Sequence, residues 1–128
     1  MGSLHHEEQT YAIRGAVIAV HQEMGAGFLE AVYQECLARE LTMRGIPFEA
    51  KAKLRLRYKG QLLDQVYEPD FLVFNEVIVE IKAAKEIAPE HKAQILNYLK
   101  ASGLRVGLLV NFGAHPKAHI ERLVFGTD

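Results

Sequence analysis

The amino-acid sequence predicts an α/β domain with a central mixed β-sheet and helices on both faces. Three observations carry that expectation. Apolar residues recur at helical spacing over the first third of the 128-residue chain. The period then changes to two, and an apolar strand–helix–strand stretch with the length of a right-handed parallel crossover follows. Apolar residues make up 49% and charged residues 24%, which suits a folded chain able to bury its own core and argues against disorder.

Residues 7–24 read as an amphipathic helix, because Ile13, Val17, Val20 and Met24 fall along one face. Gly25 and Gly27 break it. A second helix is expected over 29–43, with Leu29, Tyr33, Cys36, Leu37 and Leu41 inward. Gly45 sits where a helix C-cap glycine belongs, and Pro47 blocks continuation. From Lys51 to Lys59 every odd position is basic and every even one apolar, the signature of a half-buried strand. Gly60 marks a turn, and 62–68 returns as a second strand. Residues 71–74 and 77–82 form two more. A third helix over 90–102 begins just after Pro89, with Ile95, Leu96 and Leu99 inward and Gly103 beyond its end. Val106–Val110 reads as a buried strand, and 119–125 as a last strand in preference to a short helix. Residues 1–6 read as a tag or disordered N-terminus, and 7–128 as a single domain.

A net charge of −1 gives no overall pull toward nucleic acid. The distribution is uneven, however. Lys51, Lys53, Arg55, Arg57 and Lys59 crowd one stretch with no acid among them. Alternate side chains on a strand repeat every ~6.6 Å, close to the spacing of phosphates along an extended backbone. Lys51, Lys53, Arg55 and Arg57 are therefore candidate nucleic-acid contacts. Basic residues that discourage edge-to-edge strand pairing are the other reading. Cys36 is the single cysteine, so no internal disulfide forms. That fits a reducing compartment, and without a secretory leader or an apolar run long enough to cross a bilayer the expected location is the cytoplasm, away from membranes.

Local rules break in Pro69-Asp70 and Val79-Glu80-Ile81-Lys82. Val77, Ile78, Val79 and Ile81 describe a buried strand, yet it carries a carboxylate and an ammonium on one face. Burying such charges costs several kcal/mol per ion unless something compensates. A bound metal and a simple ion-pair cluster both qualify. Register gives a sharper test. If Phe74, Asn75 and Glu76 form a three-residue loop, Val73 pairs with Val77 and Asp70 comes opposite Glu80 on the same face. A two-residue turn would put Asp70 opposite Ile81, on the wrong face. Two adjacent carboxylates repel unless a cation joins them, and their oxygens suit Mg²⁺ or Mn²⁺.

Asp70, a spacer and Glu80-Ile81-Lys82 together resemble the PD-(D/E)XK nuclease superfamily. Gly27, Glu30 and Tyr33 match the G-x-x-E-x-x-Y spacing of one branch, the GxxExxY proteins. The resemblance runs from about Tyr11 to Phe125. It implies a restriction-endonuclease-like core and a metal held by Asp70 and Glu80, with help from the Ile81 carbonyl. It further implies that Lys82 orients water and offsets transition-state charge, with Glu30 as an additional acid. Gln94 corresponds to a glutamine on the helix after the ExK strand that positions water or phosphate. Tyr98, four residues on, shares its face and is a candidate nucleic-acid contact. The implied activity is metal-dependent phosphodiester hydrolysis in DNA or RNA. A catalytically inactive module of the same fold, binding nucleic acid or protein, is the alternative. Small members of the superfamily sometimes pair, so a homodimer stays open. The blander readings are a helix-stabilising acid for Glu30, core packing for Tyr33 and an ordinary helix flank for Gln94 and Tyr98.

Overall fold

The computed structural model describes residues 6–126. Of the stretch 1–6 only His6 is therefore covered, and residues 1–5 lie outside the described residues. Helices α1 (Glu7–Met24) and α2 (Glu30–Met43) come first, then strands β1 (Phe48–Ala50), β2 (Leu54–Tyr58), β3 (Gln61–Tyr67), β4 (Phe71–Val73) and β5 (Val77–Lys82). Helix α3 (Pro89–Ser102) and strands β6 (Val106–Asn111) and β7 (His119–Val124) complete the order. A five-stranded sheet runs β1-β4-β5-β6-β7, and β2 and β3 form a separate hairpin. Among the described residues only β5 and β6 pair in parallel, across the α3 crossover, so the sheet is mixed.

Period two divides the sheet into two cores. Val77, Val79 and Ile81 of β5, with Leu108 and Val110 of β6, pack against Ile13 and Val17 of α1 and Leu37 and Leu41 of α2. Ile78 and Leu109 face the other way, onto Ile95 and Leu99 of α3 and Tyr67 at the end of β3. The expected helices on both faces are present. Helix α2 ends where the glycine signal put it. Gly45 takes φ 69°, Ile46 N–H donates to Leu41 C=O at 2.9 Å and Gly45 N–H to Thr42 C=O at 3.0 Å, the paired bonds of a Schellman cap.

Three expectations are corrected. Leu29 is 79% exposed rather than inward; it precedes α2 with extended backbone (φ −72°, ψ 156°), so helical periodicity does not govern it. The basic stretch becomes a strand only at Leu54. Lys51 adopts φ 56°, in the left-handed region, where the chain leaves the central sheet for the hairpin. Strand β1 is an addition to the expected elements, because three residues at a mostly exposed edge carry no readable period.

An ion pair clips α3 to β7: Lys92 Nζ lies 3.0 Å from Glu121 Oε1. The Lys92 hydrogen bond, opposed by burial and aided by His119, holds the Glu121 carboxyl below its ordinary value. A carboxyl depressed in the folded state adds stability above its unfolded pKa and loses it as pH falls through the folded one. Lys92→Met should therefore lower the urea midpoint at neutral pH and bring it level with wild type below the glutamate range.

Candidate metal centre

The loop after β4 has three residues. Val73 pairs with Val77, Leu72 with Ile78 and Phe71 with Val79, and Phe74 and Asn75 turn the chain with positive φ. This is the register that brings Asp70 opposite Glu80. The ladder stops at Phe71, and side chains take over the backbone groups beyond it. Asp70 N–H donates to Glu80 Oε1 at 3.0 Å, and Ile81 N–H donates to Asp70 Oδ2 at 2.7 Å. A strand residue directs its N–H and C=O to the same edge. The Ile81 carbonyl therefore also looks toward Asp70, past the end of β4.

Other elements brace the pair. Tyr67 O–H donates to Glu80 Oε2, and its ring stacks on Tyr98 with centroids 3.7 Å apart and planes 2° from parallel. Gln34 Nε2 donates to the Asp70 carbonyl at 3.1 Å. The Lys51 ammonium lies 3.2 Å from Asp70 Oδ1. Burial pushes the Glu80 carboxyl above its ordinary value; hydrogen bonds from Tyr67 and the Asp70 backbone pull it down, and the Asp70 charge pushes it up again. Burial, then the Glu80 charge, raises the Tyr67 hydroxyl as well. A divalent cation would relieve the cost of keeping the Glu80 charge buried beside Asp70.

The remaining candidates are less tightly bound to that pair. Lys82 lies two residues beyond Glu80 on the same strand face and is half-buried. Glu30 opens α2 and is exposed; it lies one turn before Gln34, so the face that reaches Asp70 is also its own. Gln94 is exposed on α3 and lines an open groove of about 590 Å³ with Tyr98, Asn97 and Leu56. Of the basic stretch, Arg55 donates to the Leu63 carbonyl at 2.8 Å and Arg57 to the Gly60 carbonyl at 3.3 Å, both within their own hairpin. Lys53 is exposed. The amine that touches an acid of the pair is Lys51's.

Tyr33 proves to be a core residue. It is fully buried, stacks on Phe112 at 4.5 Å, donates to the Gly25 carbonyl and accepts from Phe28 N–H at 3.2 Å. It ties the α1–α2 connection down just before Glu30. Tyr33→Phe should cost about 1–3 kcal/mol in a denaturant titration, the usual net worth of two part-buried hydrogen bonds.

Sequence reasoning missed Gln34, Tyr67 and Asn111. Asn111, 2% exposed, receives Ala84 N–H and Gly113 N–H on Oδ1, each at 3.0 Å, and donates Nδ2 to Ala84 C=O at 2.8 Å. Phe112 N–H adds a bond of 2.8 Å to the Lys82 carbonyl. The residues just after the ExK strand are thereby laced to the end of β6. A signal for Asn111 existed: it is the polar end of an otherwise apolar strand, the same anomaly that exposed Glu80.

A mixed sheet with two acids meeting past the end of a strand, and a lysine two residues on, defines an α/β domain of nuclease type. The chain belongs to the PD-(D/E)XK nuclease superfamily, whose profile matches residues 7–123. Among solved structures it is similar to SSO0001, with 17% identity and a TM-score of 0.57 over 96% of this chain. It is also similar to the alkaline exonuclease LHK-Exo from Laribacter hongkongensis, with 13% identity and a TM-score of 0.52 over 98% of this chain. The chain spans 62% of the SSO0001 chain and 73% of the exonuclease. At these identities the likeness is one of fold. No curated protein matches the sequence.

PD-(D/E)XK nucleases generally use divalent metal ions. The residues present fit one. The donors on offer would be two carboxylates and a backbone carbonyl, with no thiolate or imidazole among them, a hard oxygen set suited to Mg²⁺ or Mn²⁺. Among the described residues no three His, Cys, Asp or Glu side chains gather into a metal site. A metal on Asp70 and Glu80 would complete its shell from backbone, water and substrate. No helix among the described residues is long and apolar enough to cross a membrane.

Proposed function

We propose that this protein hydrolyses phosphodiester bonds in DNA or RNA with a divalent metal held by Asp70, Glu80 and the Ile81 carbonyl. One observation carries the reading: Asp70 and Glu80 are joined across adjacent strands by Asp70 N–H to Glu80 Oε1 and Ile81 N–H to Asp70 Oδ2. Bound there, Mg²⁺ or Mn²⁺ supplies Lewis-acid activation of phosphate and water.

The chain's own groups do the rest. Tyr67 holds the Glu80 carboxylate in place, and Gln34 fixes the Asp70 backbone. Lys82 orients the attacking water and offsets the charge that builds on phosphorus. Glu30 is a further acid at the rim, and Gln94 positions water or phosphate. Tyr98, with Lys51, Lys53, Arg55 and Arg57, supplies contacts to nucleic acid that carry no sequence preference. The Gly27, Glu30 and Tyr33 spacing supports placement in the GxxExxY branch.

A second reading has its own support. Every oxygen of the two carboxylates already has a partner, so an inert cluster in a binding module is self-consistent. Incubation with single- and double-stranded DNA and RNA, with Mg²⁺, Mn²⁺ or chelator, separates the two. The nuclease reading expects cleavage that the chelator stops. Binding without turnover on all four substrates would favour the module.

A further inference from the structure

We propose that Lys51 is a built-in counter-ion that competes with the metal for Asp70, so that metal binding and release of the Lys51 ammonium are one exchange. This rests on the metal-site reading above and adds a residue that tunes it.

The geometry is asymmetric. Asp70 is pinned: Ile81 N–H holds Oδ2, its own N–H is bound to Glu80, and its carbonyl accepts from Gln34. Its side chain is 19% exposed, whereas that of Lys51 is 58% exposed. When a cation arrives, the lysine is the partner that moves. The Lys51 backbone stays, because its N–H donates to the Asp70 carbonyl at 3.1 Å. Its left-handed φ of 56° takes Lys51 out of the strand that begins at Leu54. The ammonium meets Oδ1, the Asp70 oxygen that Ile81 leaves open. An ammonium and a divalent ion on one carboxylate oxygen repel, so occupancy by one lowers occupancy by the other. Once released, the ammonium stays tethered beside Asp70 by the Lys51 backbone bond.

Calorimetric titration with MnCl₂ tests this on three proteins: wild type, Lys51→Met and Lys53→Met. Methionine keeps much of the length of the stem and removes the charge. Lys53 is the control, a cation two residues away on the exposed stretch. Lys51→Met should bind Mn²⁺ about threefold tighter or more, the scale of a partly exposed ion pair, and Lys53→Met should match wild type. Should Lys51→Met not fold, Lys51→Gln serves in its place. Unchanged or weaker binding by the Lys51 variant, or equal tightening by both, would overturn the exchange and leave the metal site intact. No heat from any of the three would remove the metal site and this inference together.

Discussion

Asp70→Asn, Glu80→Gln and Lys82→Ala are each expected to reduce metal-dependent cleavage by at least about a hundredfold, the scale of losing one preorganised charge at a transition state. The two amide substitutions keep the shape of the side chain and remove the anion. The introduced asparagine retains an oxygen for Ile81 N–H, and the introduced glutamine retains one for Asp70 N–H, so the backbone braces survive and the fold should persist. Metal affinity should fall with the two acids. Lys82→Ala separates binding from chemistry: Mn²⁺ should still bind, because Lys82 is not among the ligands, while turnover is lost. The checks are a cleavage assay, circular dichroism and Mn²⁺ calorimetry on the same preparations. Cleavage equal to wild type in all three would place the activity elsewhere. The losses need not add, since residues acting on one transition state are not independent.

The largest effect on stability is expected at Gly113. A Cβ there would lie 2.4 Å from the Ala84 carbonyl oxygen and 2.6 Å from its nitrogen. These are backbone atoms and have no rotamer through which to escape. Gly113→Ala must therefore part the β6 exit from the segment following Lys82, breaking the bonds that Asn111 makes to Ala84. Overpacking of this kind costs about 1–3 kcal/mol, with the orphaned polar groups adding to it. A fall in melting temperature of roughly 10 °C follows for a chain of this size. Asn111→Leu should act in the same direction without the clash, because it strands Ala84 N–H, Ala84 C=O and Gly113 N–H. Calorimetric melting of both variants checks the expectation; a wild-type melting point for Gly113→Ala would mean that the two segments are not in contact.

The elements legible in the sequence are those whose burial is periodic. Helix α1 has the expected bounds, and of the two loop lengths the sequence leaves open between β4 and β5, the structure has the three-residue one that pairing Asp70 with Glu80 requires. The candidate site is legible for a related reason, because Glu80 and Lys82 interrupt an apolar strand where burial should forbid charge. What stays hidden depends on tertiary approach. Tyr67 sits at the end of a strand whose other residues are exposed, so nothing local says that its hydroxyl turns in to Glu80. Lys51 belongs to a perfect alternation, and its left-handed turn toward Asp70 is set by where β1 ends rather than by its neighbours. Gln34 looks like an ordinary polar position on α2. The separation of the β2–β3 hairpin from the main sheet is hidden for a similar reason: alternation predicts a strand and does not say which sheet receives it.

The proposed centre is two carboxylates, one on β5 and one just before β4, sharing a doubly charged ion. Anomalous diffraction from crystals grown with Mn²⁺ addresses it most directly. The predicted result is a single strong peak within coordination distance of Asp70, Glu80 and the Ile81 carbonyl, with the Lys51 ammonium withdrawn from Asp70. An ordered site with Lys51 still paired to Asp70 and no anomalous peak at saturating Mn²⁺ would contradict it.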